Sequence, residues 1–251
     1  MHALFALLLA AQLGQVLPVR PPGDVANTAP DLVITAVGFN ADGNYTFTIA
    51  NRGGAVTQPF KVNASLDGYL RETVQFNNRP DANSRYSAPT RLPFANGEER
   101  RFTLSAVKVD LCSPAHSLKV VADSGGEIAE RNETNNETSW SGPTPCPDLA
   151  VKSISKHWQN SLHTEFTAEI VVINQGTGVA IHFAVAAGAS SLTGIPSGAP
   201  VIYERLGPGE TLTIHAGNAY VPDGISVHVV LDPGNLIKES NEDNNVANKS
   251  L

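Results

Sequence analysis

What the 251-residue chain lacks narrows its function before any motif is found. It has 17 Lys plus Arg against 24 Asp plus Glu, a net charge of -7, and neither a long run of one sign nor a basic stripe. That balance argues against nucleic acid as a partner. Beyond the first residues no apolar stretch approaches the roughly 20 residues of a membrane helix, so a membrane-embedded chain is not expected. Two cysteines cannot make a zinc site alone. The seven histidines, His2, His116, His157, His163, His182, His215 and His228, form no H-E-x-x-H or other close pair. Neither a G-x-S-x-G elbow nor a phosphate loop is present, and no enzyme is expected. No segment carries a convincing helical apolar stripe, and Pro and Gly interrupt the chain throughout.

What is present begins with "MHALFALLLAAQLG", an apolar run followed by small residues, which reads as a secretory signal over residues 1–14. A Pro-rich leader follows over 15–29. The expected location is secreted or at the cell surface.

The strongest feature is internal repetition. Shifting the chain by 109 positions superposes 117–136 on 226–245 with 11 identities in 20, among them Asp123/Asp232, Ile128/Ile237, Glu130/Glu239, Asn132/Asn241 and the Asn135-Asn136/Asn244-Asn245 pairs. Earlier elements also pair: "PDLVIT" (30–35) with "PDLAVK" (147–152), "IANRGGAV" (49–56) with "VINQGTGV" (172–179), and "LPFANGEERRF" (92–102) with "LGPGETLTI" (206–214). Their offsets differ, which puts insertions between the elements, where loops belong.

Within each copy the apolar period is two. Tyr45, Phe47 and Ile49 alternate with polar residues, as do Phe166, Ala168, Ile170 and Val172. "SLKVVAD" and "SVHVVLD" run into Gly-containing turns and are expected to resume as strands at Ile128 and Ile237. Each copy is thus about 105–110 residues with roughly seven short strands, an antiparallel immunoglobulin-like β-sandwich. The expected domains are 30–140 and 147–251, joined by a linker over 141–146. The cores should contain Leu32, Ile34, Phe47, Ile49, Leu118, Val120 and Ile128 in the first copy. Leu149, Val151, Ile170, Val172, Val227, Val229 and Ile237 are the counterparts in the second.

The order Pro-Asp-Leu, Asn-x-Gly, Gly-Glu and then Asp-x-Gly-x-x-Ile-x-Glu-x-Asn-Glu-x-Asn-Asn resembles the CARDB domain, the cell-adhesion-related domain of exported bacterial and archaeal proteins. The resemblance covers nearly all of the chain after the leader, once per copy. It implies tandem β-sandwiches that mediate binding or adhesion, and it implies no catalytic residues.

The closing motif, "EIAERNETNNET" in the first copy, admits three readings. Asn and Asp side chains satisfy backbone amides next to turns, and a repeated fold repeats that need. Calcium is the second: Glu130, Asn132, Glu133 and Asn135, with Glu239, Asn241, Glu242 and Asn244, offer only oxygen donors, although the spacing is not that of an EF-hand. Glycosylation is the third, since Asn44, Asn63, Asn132, Asn136 and Asn248 head formal acceptor triplets. No cofactor is expected unless calcium binds weakly.

Cys112 precedes the penultimate strand of copy one and Cys146 follows its last strand; in an immunoglobulin-like order these positions share one end of the sandwich. A Cys112–Cys146 disulfide is therefore expected, fastening the linker to the first domain. Ligand contacts are expected on the variable segment 67–92, where Tyr69, Arg71, Arg79, Arg85 and Tyr86 suit recognition of protein or carbohydrate at a cell surface. The alternative is a structural subunit of a filament or surface layer, with the leader adding a strand to a neighbour's sheet edge.

Overall fold

The computed structural model describes residues 28–79, 86–190, 199–220 and 225–251. The expected signal, most of the leader and Arg85 lie outside them.

Among the described residues seven strands form in each half, most of them on alternating apolar residues, and no helix forms. In the first half these are β1 (Leu32–Phe39), β2 (Asn44–Asn51), β3 (Phe60–Leu66), β4 (Tyr69–Phe76), β5 (Glu99–Lys108), β6 (His116–Val121) and β7 (Glu137–Gly142). A three-stranded sheet, β1-β2-β5, faces a four-stranded sheet, β4-β3-β6-β7. The second half repeats the plan with β8 (Leu149–Trp158), β9 (Glu165–Asn174), β10 (Ala180–Ser190), β11 (Val201–Leu206), β12 (Thr211–Tyr220), β13 (Ser226–Leu231) and β14 (Val246–Ser250). Its sheets are β8-β9-β12 and β11-β10-β13-β14. Both are immunoglobulin-like antiparallel sandwiches. Even the irregularities recur, with a bulge between Ile34 and Ala36 in β1 and another between Val151 and Ser153 in β8.

The expected core residues of the first copy are all buried, and most of their counterparts are too. Val151, beside its bulge, and Ile237 are only partly buried against the second core.

One expectation about the strands fails. No strand resumes at Ile128 or Ile237; β6 and β7 are separated by the loop 122–136, and β13 and β14 by 232–245. The cause is Asp123, whose positive φ of 43° turns the chain while its carboxylate accepts from the Glu127 and Ile128 amides at 2.8 and 2.9 Å. Asp232 (φ 41°) does the same for Ile237 at 2.9 Å. Amides that would have entered a ladder are thus taken by a side chain.

Cys112 and Cys146 are disulfide-bonded, with their Cα atoms 4.5 Å apart. The bridge lies where the two sandwiches meet. Val179 N–H donates to the Ala41 carbonyl (3.0 Å), Arg205 pairs with Asp42 (2.6 Å), and Lys238 Nζ donates to the Cys112 carbonyl (3.0 Å). Leu111, Pro147, Val179, Ile181 and Ile237 line an apolar cleft at this junction.

Candidate functional site

The loop carrying the repeated motif latches onto the start of its own domain. In the first copy the Glu130 carboxylate accepts from the Leu32 amide and, at 2.9 Å, from Asn136 Nδ2. Glu130 N–H in turn donates to Glu133 (2.8 Å), and Arg131 N–H to the Pro30 carbonyl (2.8 Å). Asn135 Nδ2 and Arg131 Nη2 donate to the two oxygens of Asp31 at 2.7 and 2.5 Å. The second copy repeats most of these bonds. Glu239 accepts from the Leu149 amide and from Asn245 (3.0 Å), Glu242 from Glu239 N–H (2.9 Å), Pro147 from Ser240 (2.9 Å), and Asp148 from Asn244 (2.7 Å). The Pro-Asp-Leu and closing motifs are therefore two halves of one device that ties the first strand to the loop before the last.

The other two motifs are also backbone chemistry. Asn51, fully buried, donates to the Gly54 and Phe94 carbonyls (2.7 and 3.0 Å) and accepts from the Asp31 and Gly53 amides (3.2 and 3.0 Å). Asn174 makes the same four bonds, to Gly178, Leu206, Asp148 and Gly176, at 2.8–3.1 Å. The glycine two residues on is required by contact: a Cβ on Gly53 would lie 2.2 Å from the Ala29 carbonyl oxygen, and one on Gly176 2.3 Å from that of Cys146. Glu98 accepts from the Ala95 amide (2.8 Å) and Glu210 from the Gly207 amide (2.6 Å), closing the turns before β5 and β12.

Burial sets the electrostatics of this latch. It pushes the Glu130 and Glu239 carboxyls up to about 7, against the pull of the Leu32 and Leu149 amides and of the Asn136 and Asn245 side chains. Burial also raises Asp31, but the Asn135 and Arg131 bonds outweigh it and hold that carboxyl below its usual value. Of the remaining residues named as calcium donors, Asn132 accepts from the Thr134 amide (3.1 Å) and Asn241 from the Asp243 amide (3.1 Å). Buried amide oxygens of Asn135, Asn136, Asn244 and Asn245 have no protein hydrogen-bond partner.

The residues expected to touch a ligand are separated by the fold. Residues 67–92 are not one loop: Asp67-Gly68, both at positive φ, form a tight turn, and 69–76 is β4, at the edge of its sheet. On this edge Tyr69 is 69% and Leu70 57% exposed, and the Arg71 guanidinium lies 5.7 Å from the Tyr69 ring centre. Arg79 is exposed beyond the strand. Tyr86 turns inward, its ring 6.1 Å from Phe102 and its hydroxyl donating to Glu72 at 3.1 Å. Buried Arg100 holds the stretch after β4, donating to the Pro89, Arg91 and Pro93 carbonyls and lying 4.7 Å from the Phe94 ring centre.

On the outer face of β8-β9-β12 the fold assembles a group that sequence spacing did not suggest. His157 and His215 have ring centroids 4.8 Å apart, and His157 Nδ1 lies 3.6 Å from Glu169 Oε2. The expectation of no close histidine pair fails because cross-strand register, not sequence spacing, brings these residues together.

A pair of seven-stranded sandwiches, joined by hydrogen bonds and fastened by a disulfide at their junction, defines a tandem immunoglobulin-like module. The CARDB family model matches residues 29–140 and 146–249, and the chain belongs to that adhesion-related family. No curated protein matches the chain. Among solved structures it is similar to the CARDB domain of the PF1109 protein from Pyrococcus furiosus, in complex with di-metal ions, with 17% identity over 46% of this chain and 94% of that one (TM-score 0.33). It is also similar to CBD12 from CALX1.2, 12% identical over 80% of this chain and 78% of that one (TM-score 0.33). A third is the class 5 fimbriae chaperone CfaA, 10% identical over 88% and 98% (TM-score 0.26). Among the described residues no helix is long and apolar enough to cross a membrane.

Proposed function

We propose that the chain is an exported, non-catalytic binding module that presents the β4 edge of its first domain to a protein or carbohydrate at a cell surface. The carrying observation is the exposed Tyr69-Leu70-Arg71 run on that edge. An aromatic ring beside a guanidinium is the kind of anchor that dominates recognition surfaces. The repeated motifs are taken up by the backbone, which leaves the unshared segments to carry specificity. The Cys112–Cys146 bridge agrees with an oxidising compartment.

Retention of the full chain on a glycan array and on whole cells tests this reading. Replacing Tyr69 and Arg71 together by Ala should weaken retention by at least about tenfold, as loss of an anchor does. Unchanged retention would remove the β4 edge from consideration.

A second reading rests on the edge positions of β4 and β11, the latter with Val201 54% and Ile202 67% exposed. Such edges can accept a strand from a neighbour, giving end-to-end assembly. Light scattering of the secreted form, with calcium and then with EDTA, separates the readings. A monomer in both supports the binding module. A calcium-dependent polymer would favour assembly and give the unpartnered amide oxygens of Asn135 and Asn244 an occupant, since amide oxygens are ligands that calcium takes.

A further inference from the structure

The outer face of the β8-β9-β12 sheet holds three metal-ligating side chains on three adjacent strands. Their ligand atoms all lie within 4.8 Å of one another. Glu169 on β9 pairs directly with His215 on β12, while His157 on β8 pairs with Thr167, the next outward-facing residue of β9. We propose that His157, Glu169 and His215 bind a Zn2+-class divalent ion, with two imidazoles and one carboxylate as ligands and a fourth position open to solvent.

The donor set fits such an ion. Zinc takes imidazole nitrogen and carboxylate oxygen at about 2.0–2.2 Å, and three protein ligands leave a tetrahedral ion one free position. Tetrahedral bonds of that length put ligand atoms about 3.3 Å apart, so the group must contract by up to about 1.5 Å at its widest. Both histidines are exposed and can rotate to do so. Glu169 is already oriented: the Ser155 hydroxyl donates to its Oε1 at 3.4 Å, leaving Oε2 on the His157 side. A partner on the non-ligating oxygen is how outer-shell groups fix a carboxylate ligand.

The group does not come with the fold. At the equivalent register of the first domain, Thr46 pairs with Thr103 where Glu169 pairs with His215, and Gly38 stands opposite Thr46 where Ser155 stands opposite Glu169. The position of His157 depends on the β8 bulge. Leu149 points inward, and strict alternation from it would send every odd residue of the strand into the core. The bulge between Val151 and Ser153 reverses the parity, so that Ile154 is buried and Ser155 and His157 face outward.

The test uses tag-free, metal-stripped full chain titrated with ZnCl2 against a chromophoric chelator. One equivalent should bind, and His157→Ala, His215→Ala and Glu169→Ala should each weaken it by about tenfold or more, at least the loss seen for outer-shell changes. His182→Ala, at an exposed histidine on β10, should bind as the unaltered chain does. Melting temperatures without metal should be unchanged in all four, because the side chains replaced are exposed or half-buried on an outer face. If the site variants bind zinc as the unaltered chain does, or if His182→Ala loses as much as they do, the site is not there. Absence of stoichiometric binding overturns the proposal equally.

Discussion

The two domains differ most in their hydrophobic cores and least in their buried polar groups. Tyr45, whose buried hydroxyl reaches the Lys119 carbonyl at 3.0 Å, stands where the second domain has Ala168, and Phe47, stacked on Phe102 at 5.1 Å, stands where it has Ile170. Among the described residues only the Phe60–Phe76 stack (4.3 Å) has a clear aromatic counterpart, Phe183–Tyr203 (5.7 Å). By contrast Asn51 and Asn174, and Glu130 and Glu239, repeat bond for bond, and Glu210 repeats the turn-closing bond of Glu98. A core accepts many apolar sets of suitable volume, whereas a buried amide or carbonyl needs a partner at one place. Divergence therefore spared the residues that satisfy backbone.

The largest test of that contrast is a feature only one domain has. Replacing Cys112 and Cys146 by Ser opens a loop spanning 34 positions and should cost the first domain about 3–4 kcal/mol in the chain-entropy picture. The second domain, which the bridge touches only through Cys146 at its first residue, should keep its own transition in denaturant unfolding. A parallel loss in both would mean that the junction makes them one cooperative unit.

Next is a feature that both domains share. Asn51→Ala and Asn174→Ala each strip four backbone groups of a buried partner; at about 1–3 kcal/mol for each group that finds no other partner, a loss of about 3 kcal/mol, that of one or two such groups, is expected in either domain. The two losses should match. If one domain tolerates the change, its backbone finds other partners and the equivalence of the copies breaks there.

These contrasts also explain what the sequence could disclose. The sandwich, its duplication and the pairing of the cysteines follow from period-two apolar residues and repeated motifs, because both are local in the chain. The edge strand β4 was hidden: Tyr69, Leu70, Arg71 and Glu72 show no alternation, since both faces of this stretch meet water. The inward turn of Tyr86 depends on Phe102 and Glu72, neither of which is a sequence neighbour. The histidine group was further out of reach, for it needs the register of three strands and the parity change at the β8 bulge. Acidic and amide residues at 127–138 looked like ligands because the amides they serve, at Leu32 and in the loop itself, are visible only once the chain is folded.

The smallest expected effect is a pH dependence that the two latches should share. Glu130 and Glu239 are raised from an ordinary value of 4.5 to about 7, chiefly by burial. Between those values the unfolded chain has released both protons while the folded chain still holds them. The native state then binds more protons, and linkage makes stability fall as pH rises from about 4.5 to about 7, with no further loss from these groups above that. Asp31 and Glu98 are shifted the other way, so their contribution is present above their unfolded values and is lost as pH falls below them, outside this window. Urea midpoints measured from pH 5 to 7.5 should therefore decline. The decline should flatten by about half in Glu130→Gln or Glu239→Gln alone, and in the double variant only the smaller contribution of Asp123, a carboxyl that burial also raises, should remain, if each latch contributes one proton. A midpoint that is level or rises over this range would mean that the Leu32 and Leu149 amides, with Asn136 and Asn245, hold both carboxylates ionised. A slope removed by only one of the two substitutions would show that the copies, alike in geometry, differ in how well they exclude water.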